Sequence, residues 1–493
     1  MRRLFPATAA ERRQEMVKAM DYACAMTPLL AEIDAAYAAF ARQENIPGLV
    51  AGIVQDGALV HVTALGVADI EAGRKVTPAT VFRIASMTKS ITALAILSLR
   101  DRGTLALDAP LAEYIPQFAA VAPPTRDSGP LTVRHLLTHT AGFVTDDPWG
   151  DRVLGMSPGA LDALIAEGRL FARPPGLAFE YSNLGYALLG RVLTNLSGEP
   201  YQAFVRRTIL EPLGMSRTTF DALAAARDDF AWGYRCDDGV FSRERVEPDG
   251  EVGAMGGLAT TAGDYARYVA FLSSAWPPRD DAEAGPVRRA SVREMALFHA
   301  PPFLPDPVGG RAGSASAYGY GLFDADDATL GRRLHHPGGL PGYGSHMLFL
   351  PETGVGVFAF GNRTYAPMSR ITVRAAELFV AAQPKPAPAP PSPWLKRAVD
   401  AVVAAYAAGR IETAEAVFAE NLLLDTPAPL RNAELVRLKQ QLGEGRLGSI
   451  EPTHALAGRF VMACNRGWLR GTIILSPEAE PGIQKLTLAA EMR

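Results

Sequence analysis

The sequence predicts an α/β (α+β) protein. It is an antiparallel sheet flanked by terminal helices, with a large, mainly helical insertion between the two halves of the sheet and a small α+β domain behind it. Three observations carry this expectation. Two β-rich runs, GLVAGIVQ and ALVHVTALG, meet at Asp56-Gly57, the strongest short signal for a tight hairpin. A period of two returns only from about residue 334, in LHHPGG, SHMLFL and VGVFAF, with Pro351-Glu352-Thr353-Gly354 as the turn before the last run. Between these stretches the apolar spacing is mainly helical and is broken by Pro/Gly loops.

The elements follow in order. Residues 1–27 read as an N-terminal extension: it opens with basic residues, but Glu11, Arg12, Arg13, Gln14 and Glu15 stand where a secretory signal needs an apolar core. From 28 to 43 the spacing of Leu30, Ile33, Tyr37 and Phe40 predicts a helix. Thr80 to Ile84 is strand-like, and Ile91 to Leu99 is an apolar helix with Gly103 as its stop. Another apolar helix runs from Leu184 to Leu196 and stops at Gly198, and a third, Met368 to Ala382, closes the main domain, 28–382. Residues 383–393 form a linker around PKPAPAPPSP, semi-rigid and extended. Residues 394–493 are an accessory domain: an amphipathic helix from Trp394 to Tyr406, then strand candidates RFVMAC, GWLRGTIIL and QKLTLAAE.

Composition narrows the function classes. Lys plus Arg number 49 against Asp plus Glu 52, a formal net charge of −3. Nucleic-acid binders usually carry a basic excess, so none is expected as a partner. No stretch approaches the roughly twenty apolar residues that cross a bilayer, and the chain reads as cytoplasmic, acting on a small molecule or short peptide. Cys24, Cys236 and Cys464 are too scattered for a disulfide framework or a metal cluster. His135 and His139 are four apart on a predicted helix, a spacing that can hold zinc, but no Glu follows in the metalloprotease manner. A structural role is the expectation for both, and no metal is expected.

The chemistry gathers on Ser86-Met87-Thr88-Lys89. Serine and lysine three apart on a helix project from one face. A serine hydroxyl becomes a nucleophile when a nearby base takes its proton, and a buried lysine can be that base. The helix N-terminus supplies a positive dipole end and free N–H groups. Alone, the pattern reads first as a helix cap beside a solvated lysine. In Glu180-Tyr181-Ser182-Asn183, residues two apart can face one pocket. Tyr181 is then either a proton carrier or a packed aromatic, and Asn183 either a substrate-binding amide or a helix N-cap. His336-Pro337-Gly338-Gly339 puts glycines where a backbone can approach a ligand, although His335 is an alternative inward residue.

In order and spacing, Ser86-Met87-Thr88-Lys89, Tyr181-Ser182-Asn183 and His336-Pro337-Gly338 resemble the three motifs of the penicillin-recognising serine hydrolases. The similarity is to the class C β-lactamase-like branch, which also holds D-aminopeptidases, D-Ala-D-Ala carboxypeptidases and esterases. LLTHTAGF, PPGLAFEYSNLGY, AMGGLATTAGDYARY and HPGGLPGYGS support it, over about residues 28 to 382. The resemblance implies the β-lactamase/transpeptidase-like fold and an acyl-enzyme mechanism without metal or organic cofactor. It implies Ser86 as nucleophile, Lys89 as its activator, Tyr181 as proton shuttle and Asn183 as the residue positioning the substrate amide. The N–H groups of Ser86 and Gly339 would form the oxyanion hole. His336 departs from the family, whose β-lactamases and carboxypeptidases usually carry lysine there for a substrate carboxylate. That favours esters, amides or small peptides over β-lactams and stem peptides as substrates. A β-lactamase, a carboxypeptidase, an acyltransferase and a non-catalytic binding module stay open as alternatives. The accessory domain resembles the cone-shaped NTF2-like domains.

Overall fold

The computed structural model describes residues 9–167, 169–223, 229–297, 299–300, 315–383 and 390–492. The chain divides into two compact units, one ending at Gln383 and the other beginning at Pro384. Residues 1–8 of the expected extension and 384–389 of the expected linker lie outside the described residues.

In the first unit, helix α1 spans Ala9–Gln43. The apolar spacing of the sequence places its start at residue 28. The observed helix instead runs through Pro28. Strands β1 (Gly48–Gln55) and β2 (Ala58–Asp69) form the expected hairpin. Asp56 and Gly57 both have positive φ (51° and 79°), as a type I′ turn requires. A short β3 (Arg74–Lys75) edges the sheet, and β4 (Phe82–Arg83) leads into the Ser86 turn. Two further small pairs lie in the insertion: β5 (Tyr234–Asp237) with β6 (Val240–Arg243), and β7 (Ala259–Thr260) with β4. The chain then returns through β8 (Ala315–Tyr318), β9 (Phe323–Asp327), β10 (Gly331–Leu340), β11 (Tyr343–Leu350) and β12 (Val355–Gly361).

The two ends close into one eight-stranded sheet, in the order β3-β2-β1-β12-β11-β10-β9-β8. Its central strand β1 pairs antiparallel with β12, Ala51 opposite Ala359. Strand side chains alternate between faces, and here both faces are covered, so β1 is a continuous apolar run. Leu49, Ala51 and Ile53 join Ile33 and Tyr37 of α1 and Ile371 and Phe379 of the helix Met368–Ala381. Val50 and Val54 face the other core with Phe358, Phe360, Ile91 and Leu94. That second core holds helix α2 (Thr88–Asp101), which is buried from Thr88 to Leu99 and apolar nearly all round. Its polar residues are satisfied internally: Thr92 Oγ1 donates to the Ala254 carbonyl (2.7 Å) and the Tyr268 hydroxyl donates to Ser90 Oγ (2.6 Å).

The second unit carries a helix Pro393–Ala408, a helix Ala428–Leu442 and an antiparallel sheet of β13 (Gly445–His454), β14 (Ala457–Cys464), β15 (Gly467–Leu475) and β16 (Ile483–Met492). β13 is a strand that the sequence reading did not find. Most of its residues are exposed or half-buried and it includes Gly445, Gly448 and Pro452, so it lacks the apolar alternation of its neighbours. Among the described residues, no helix is long and apolar enough to cross a membrane.

Candidate active site

Ser86 sits where β4 turns into α2. Ala85 adopts φ 49° without being glycine, a conformation that costs on the order of 1–3 kcal/mol and persists only where its surroundings impose it. The surroundings are visible. Ile84 N–H donates to the Leu258 carbonyl (3.0 Å) and Ser345 Oγ donates to the Ile84 carbonyl (2.7 Å), pinning the turn between β7 and β11. Residues 85–87 form a single 3₁₀ turn, and α2 follows at Thr88.

Lys89 is buried completely, and its ammonium nitrogen meets three acceptors: Ser86 Oγ at 3.0 Å, Asn183 Oδ1 at 2.7 Å and the Met255 carbonyl at 3.0 Å. Three N–H bonds and three acceptors match. Burial pulls its pKa down to about 8, against the opposing pull of Asp147, Asp151 and Asp146. The Tyr181 ring lies 4.8 Å from the lysine nitrogen. Burial, then the nearby charge of Asp147, push the Tyr181 pKa well above the ordinary range, against the lowering pull of Ser86, so it stays a phenol at neutral pH. Ser86, Lys89, Tyr181 and Asn183 are therefore brought into one cluster.

Helix α3 (Val133–Leu137), helix α4 (Pro158–Glu167) and helix α5 (Asn183–Ser197) belong to the insertion. Asn183 is the first residue of α5, not its cap: Ser182 caps, its Oγ accepting from Gly185 N–H at 3.2 Å. The loop before α4 supplies further acceptors. Asp146 takes the backbone N–H groups of Asn183 (2.6 Å) and Leu184 (2.7 Å), and Asp147 Oδ1 accepts from Asn183 Nδ2. Asp151 accepts from the Tyr365 hydroxyl at 2.9 Å, and burial followed by Asp147 raises its pKa to about 7.

His336 reaches the site from β10, its ring 6.4 Å from that of Tyr181. Both ring nitrogens are engaged: Nε2 with the Tyr318 hydroxyl at 2.9 Å and Nδ1 with the Pro337 carbonyl at 2.6 Å. Burial, then the Lys89 charge, push its pKa down to about 3, so it is a neutral imidazole. The alternative, His335, points to the other face, stacked on Phe323 and 3.5 Å from His346. A Cβ at Gly338 would lie 2.2 Å from Ser345 Oγ and 2.5 Å from the Ile84 carbonyl. Only glycine lets β10 run flush against the Ser86 turn.

The two histidines expected on one helix are separated. His135 lies in α3, while His139 follows it at φ 56°. His139 Nδ1 accepts from Ser182 N–H (3.1 Å), and its ring packs 4.3 Å from that of Tyr181. Asp146, Asp147, Asp151, Met255 and Tyr318 went unnoticed in the sequence. Nothing local in FVTDDPWGD ties it to Asn183.

Comparison with known proteins agrees with this geometry. The Beta-lactamase family model matches residues 33–382. Esterase EstB of Burkholderia gladioli is 32% identical over 381 residues, 69% of this chain and 92% of that protein. A penicillin-binding protein of Bacillus subtilis (strain 168) is 26% identical over 368 residues, 71% of this chain and 76% of its own. The solved structure of an octameric penicillin-binding protein homologue from Pyrococcus abyssi superposes with a TM-score of 0.63 at 22% identity, covering 94% of this chain and 98% of that one, and shares the fold. The chain belongs to the Beta-lactamase family.

Proposed function

We propose that this family member is a serine hydrolase that forms an acyl-Ser86 intermediate from esters or amides carrying no obligatory free carboxylate. The observation that carries the reading is the contact of the Lys89 amine with Ser86 Oγ, 3.0 Å, inside a buried cluster that also holds Tyr181 and Asn183. With a pKa of about 8, Lys89 reaches its neutral form near physiological pH and takes the Ser86 proton as Oγ attacks the carbonyl carbon. The N–H groups of Ser86 and Gly339 receive the oxyanion; losing one such donor typically costs about a hundred- to a thousandfold. As the carbonyl–leaving-group bond breaks, the Tyr181 phenol gives its proton to the leaving oxygen or nitrogen and is reprotonated by the Lys89 ammonium, which holds the proton taken from Ser86. Water then attacks the acyl-enzyme along the reverse proton path and frees the acid.

The substrate class rests on His336. A neutral imidazole with both nitrogens engaged offers no fixed cation to a carboxylate. Exposed apolar side chains (Val144, Trp149, Leu177 and Tyr365) belong to the loops that carry the site residues, which suits uncharged substituents. The name of the Burkholderia relative, an esterase, points the same way. The test compares wild type with Ser86→Ala in fluorophosphonate labelling and in turnover of p-nitrophenyl esters, D- and L-aminoacyl amides and nitrocefin. Ser86-dependent labelling with ester turnover far above nitrocefin turnover is expected. No labelling and no turnover of any of them overturns the reading, and nitrocefin turnover equal to that of good esters moves it to a β-lactamase.

A further inference from the structure

Asn183 is held by two neighbouring carboxylates that divide the work. Asp146 takes the backbone N–H groups at the start of α5, and Asp147 takes the side-chain amide. With Nδ2 on Asp147, the amide oxygen faces Lys89 at 2.7 Å, the shortest of the three contacts to that lysine. A flipped carboxamide would set an N–H against the ammonium and an oxygen against the carboxylate, both repulsive. The loop also approaches Asn183 closely, and a Cβ at Gly150 would lie 2.9 Å from both Cβ and Nδ2 of Asn183. Asp147 thus stands fourth in a line that runs Ser86–Lys89–Asn183–Asp147.

We propose that Asp147 is a positioning residue of the Ser86 site, its carboxylate fixing the Asn183 carboxamide with the oxygen toward Lys89 and so holding the amine on the nucleophile. The proposal rests on the serine-hydrolase reading above for its kinetic consequence, but not for its geometry. Lys89 is faced by Asp146, Asp147 and Asp151 from the loop, Tyr181 and Tyr186 from around the start of α5, His139 from beyond α3, and His336 from β10. Among the charges Asp147 acts most strongly to keep the amine protonated. Its removal therefore moves the Lys89 titration to lower pH.

The experiment uses the full chain with lysine labelled at the ε-carbon, and follows Lys89, assigned by its absence in Lys89→Ala, by NMR titration in wild type, Asp147→Asn and Asp147→Ala. p-Nitrophenyl acetate kinetics run alongside from pH 6 to 9.5. The expected result is a Lys89 midpoint at lower pH in both variants. In Asp147→Ala, kcat falls on the order of tenfold to a hundredfold with KM little changed. Asp147→Asn, whose amide oxygen still accepts from Asn183 Nδ2, keeps most of kcat. Severe loss of kcat in Asp147→Asn, which keeps the acceptor for Asn183 Nδ2, overturns the proposal whether or not Asp147→Ala folds, and so does a Lys89 midpoint unmoved in a folded Asp147→Ala. So does wild-type kcat in a folded Asp147→Ala, provided the wild type turns the ester over. If wild type hydrolyses nothing, the hydrolase reading fails, while the titration still decides the role of Asp147.

Discussion

Lys89 and His336 approach the Ser86 turn from opposite sides, one on the apolar helix α2 and the other on the sheet strand β10, and both are buried to within 1% of their surface. Burial alone drives both towards the neutral form. What separates them is the company each keeps. Three carboxylates and three oxygen acceptors surround the amine, and its pKa stops at about 8. The imidazole meets aromatic rings, one phenol and the positive charge of Lys89 itself, and falls to about 3. The lesson is that a base in a dry site keeps its proton only where acceptors and counter-charges are built around it. The charges of Asp147, Asp151 and Asp146 pull toward keeping the proton on Lys89, against its burial.

The largest effect should come from exchanging the two roles by deletion. Lys89→Ala is expected to lower kcat/KM on a good ester by roughly a thousandfold or more, since groups acting as a unit fail together. His336→Gln should stay within about tenfold, because a neutral hydrogen-bonding side chain replaces another. Equal losses in the two would break the contrast. Tyr181→Phe comes next: turnover slows while an acyl-enzyme accumulates, to be seen by mass spectrometry of the intact protein, and wild-type steady-state rates would remove the phenol from the proton path. The pH–rate profile sharpens the contrast further. With Lys89 as base, kcat/KM rises with pH to a midpoint near 8 and shows no inflection near 6.5. An inflection there that vanished in His336→Gln would mean a titrating imidazole.

Stability should carry the signature of the other side of the sheet. His335 and His346 are buried with pKa values held below 6.5, well below for the first and about 3 for the second, by burial first and nearby positive charge next. Their folded-state pKa values are depressed relative to the unfolded chain. The stability they contribute is therefore fully present above pH 6.5 and is lost as pH falls towards 3, by at most about 1.4 kcal/mol per pH unit for each group. Thermal melts between pH 7.5 and 4.5 should show this decline, and His346→Asn should flatten it. The smallest expected effect lies far from the chemistry. Gly57 has φ 79° with open space around it, so Gly57→Ala should cost about 1 kcal/mol of stability and leave the kinetics untouched.

Much of this site was legible in the sequence because its chemistry is local there. A serine and a lysine one helical turn apart, and a tyrosine and an asparagine two apart, have their relative positions set by short-range geometry alone. The hairpin at Asp56-Gly57 was legible for the same reason. The partners that decide charge were not. Asp147 meets Asn183 across 36 residues, Tyr318 meets His336 across a strand turn, and Met255 acts through a backbone carbonyl that no side chain advertises. The passage of α1 through Pro28 and the position of His139 at φ 56°, beyond its helix, were not legible from apolar spacing.

The absence of clearance at Gly338 has a practical side. Any side chain added at Gly338 would have to displace the Ser345 hydroxyl or the Ile84–Ala85 turn that leads into Ser86. On the proposed reading, engineering toward bulkier acyl groups would have to reshape the connections around residues 143–151 and 174–181, leaving the β10 wall as a fixed jig.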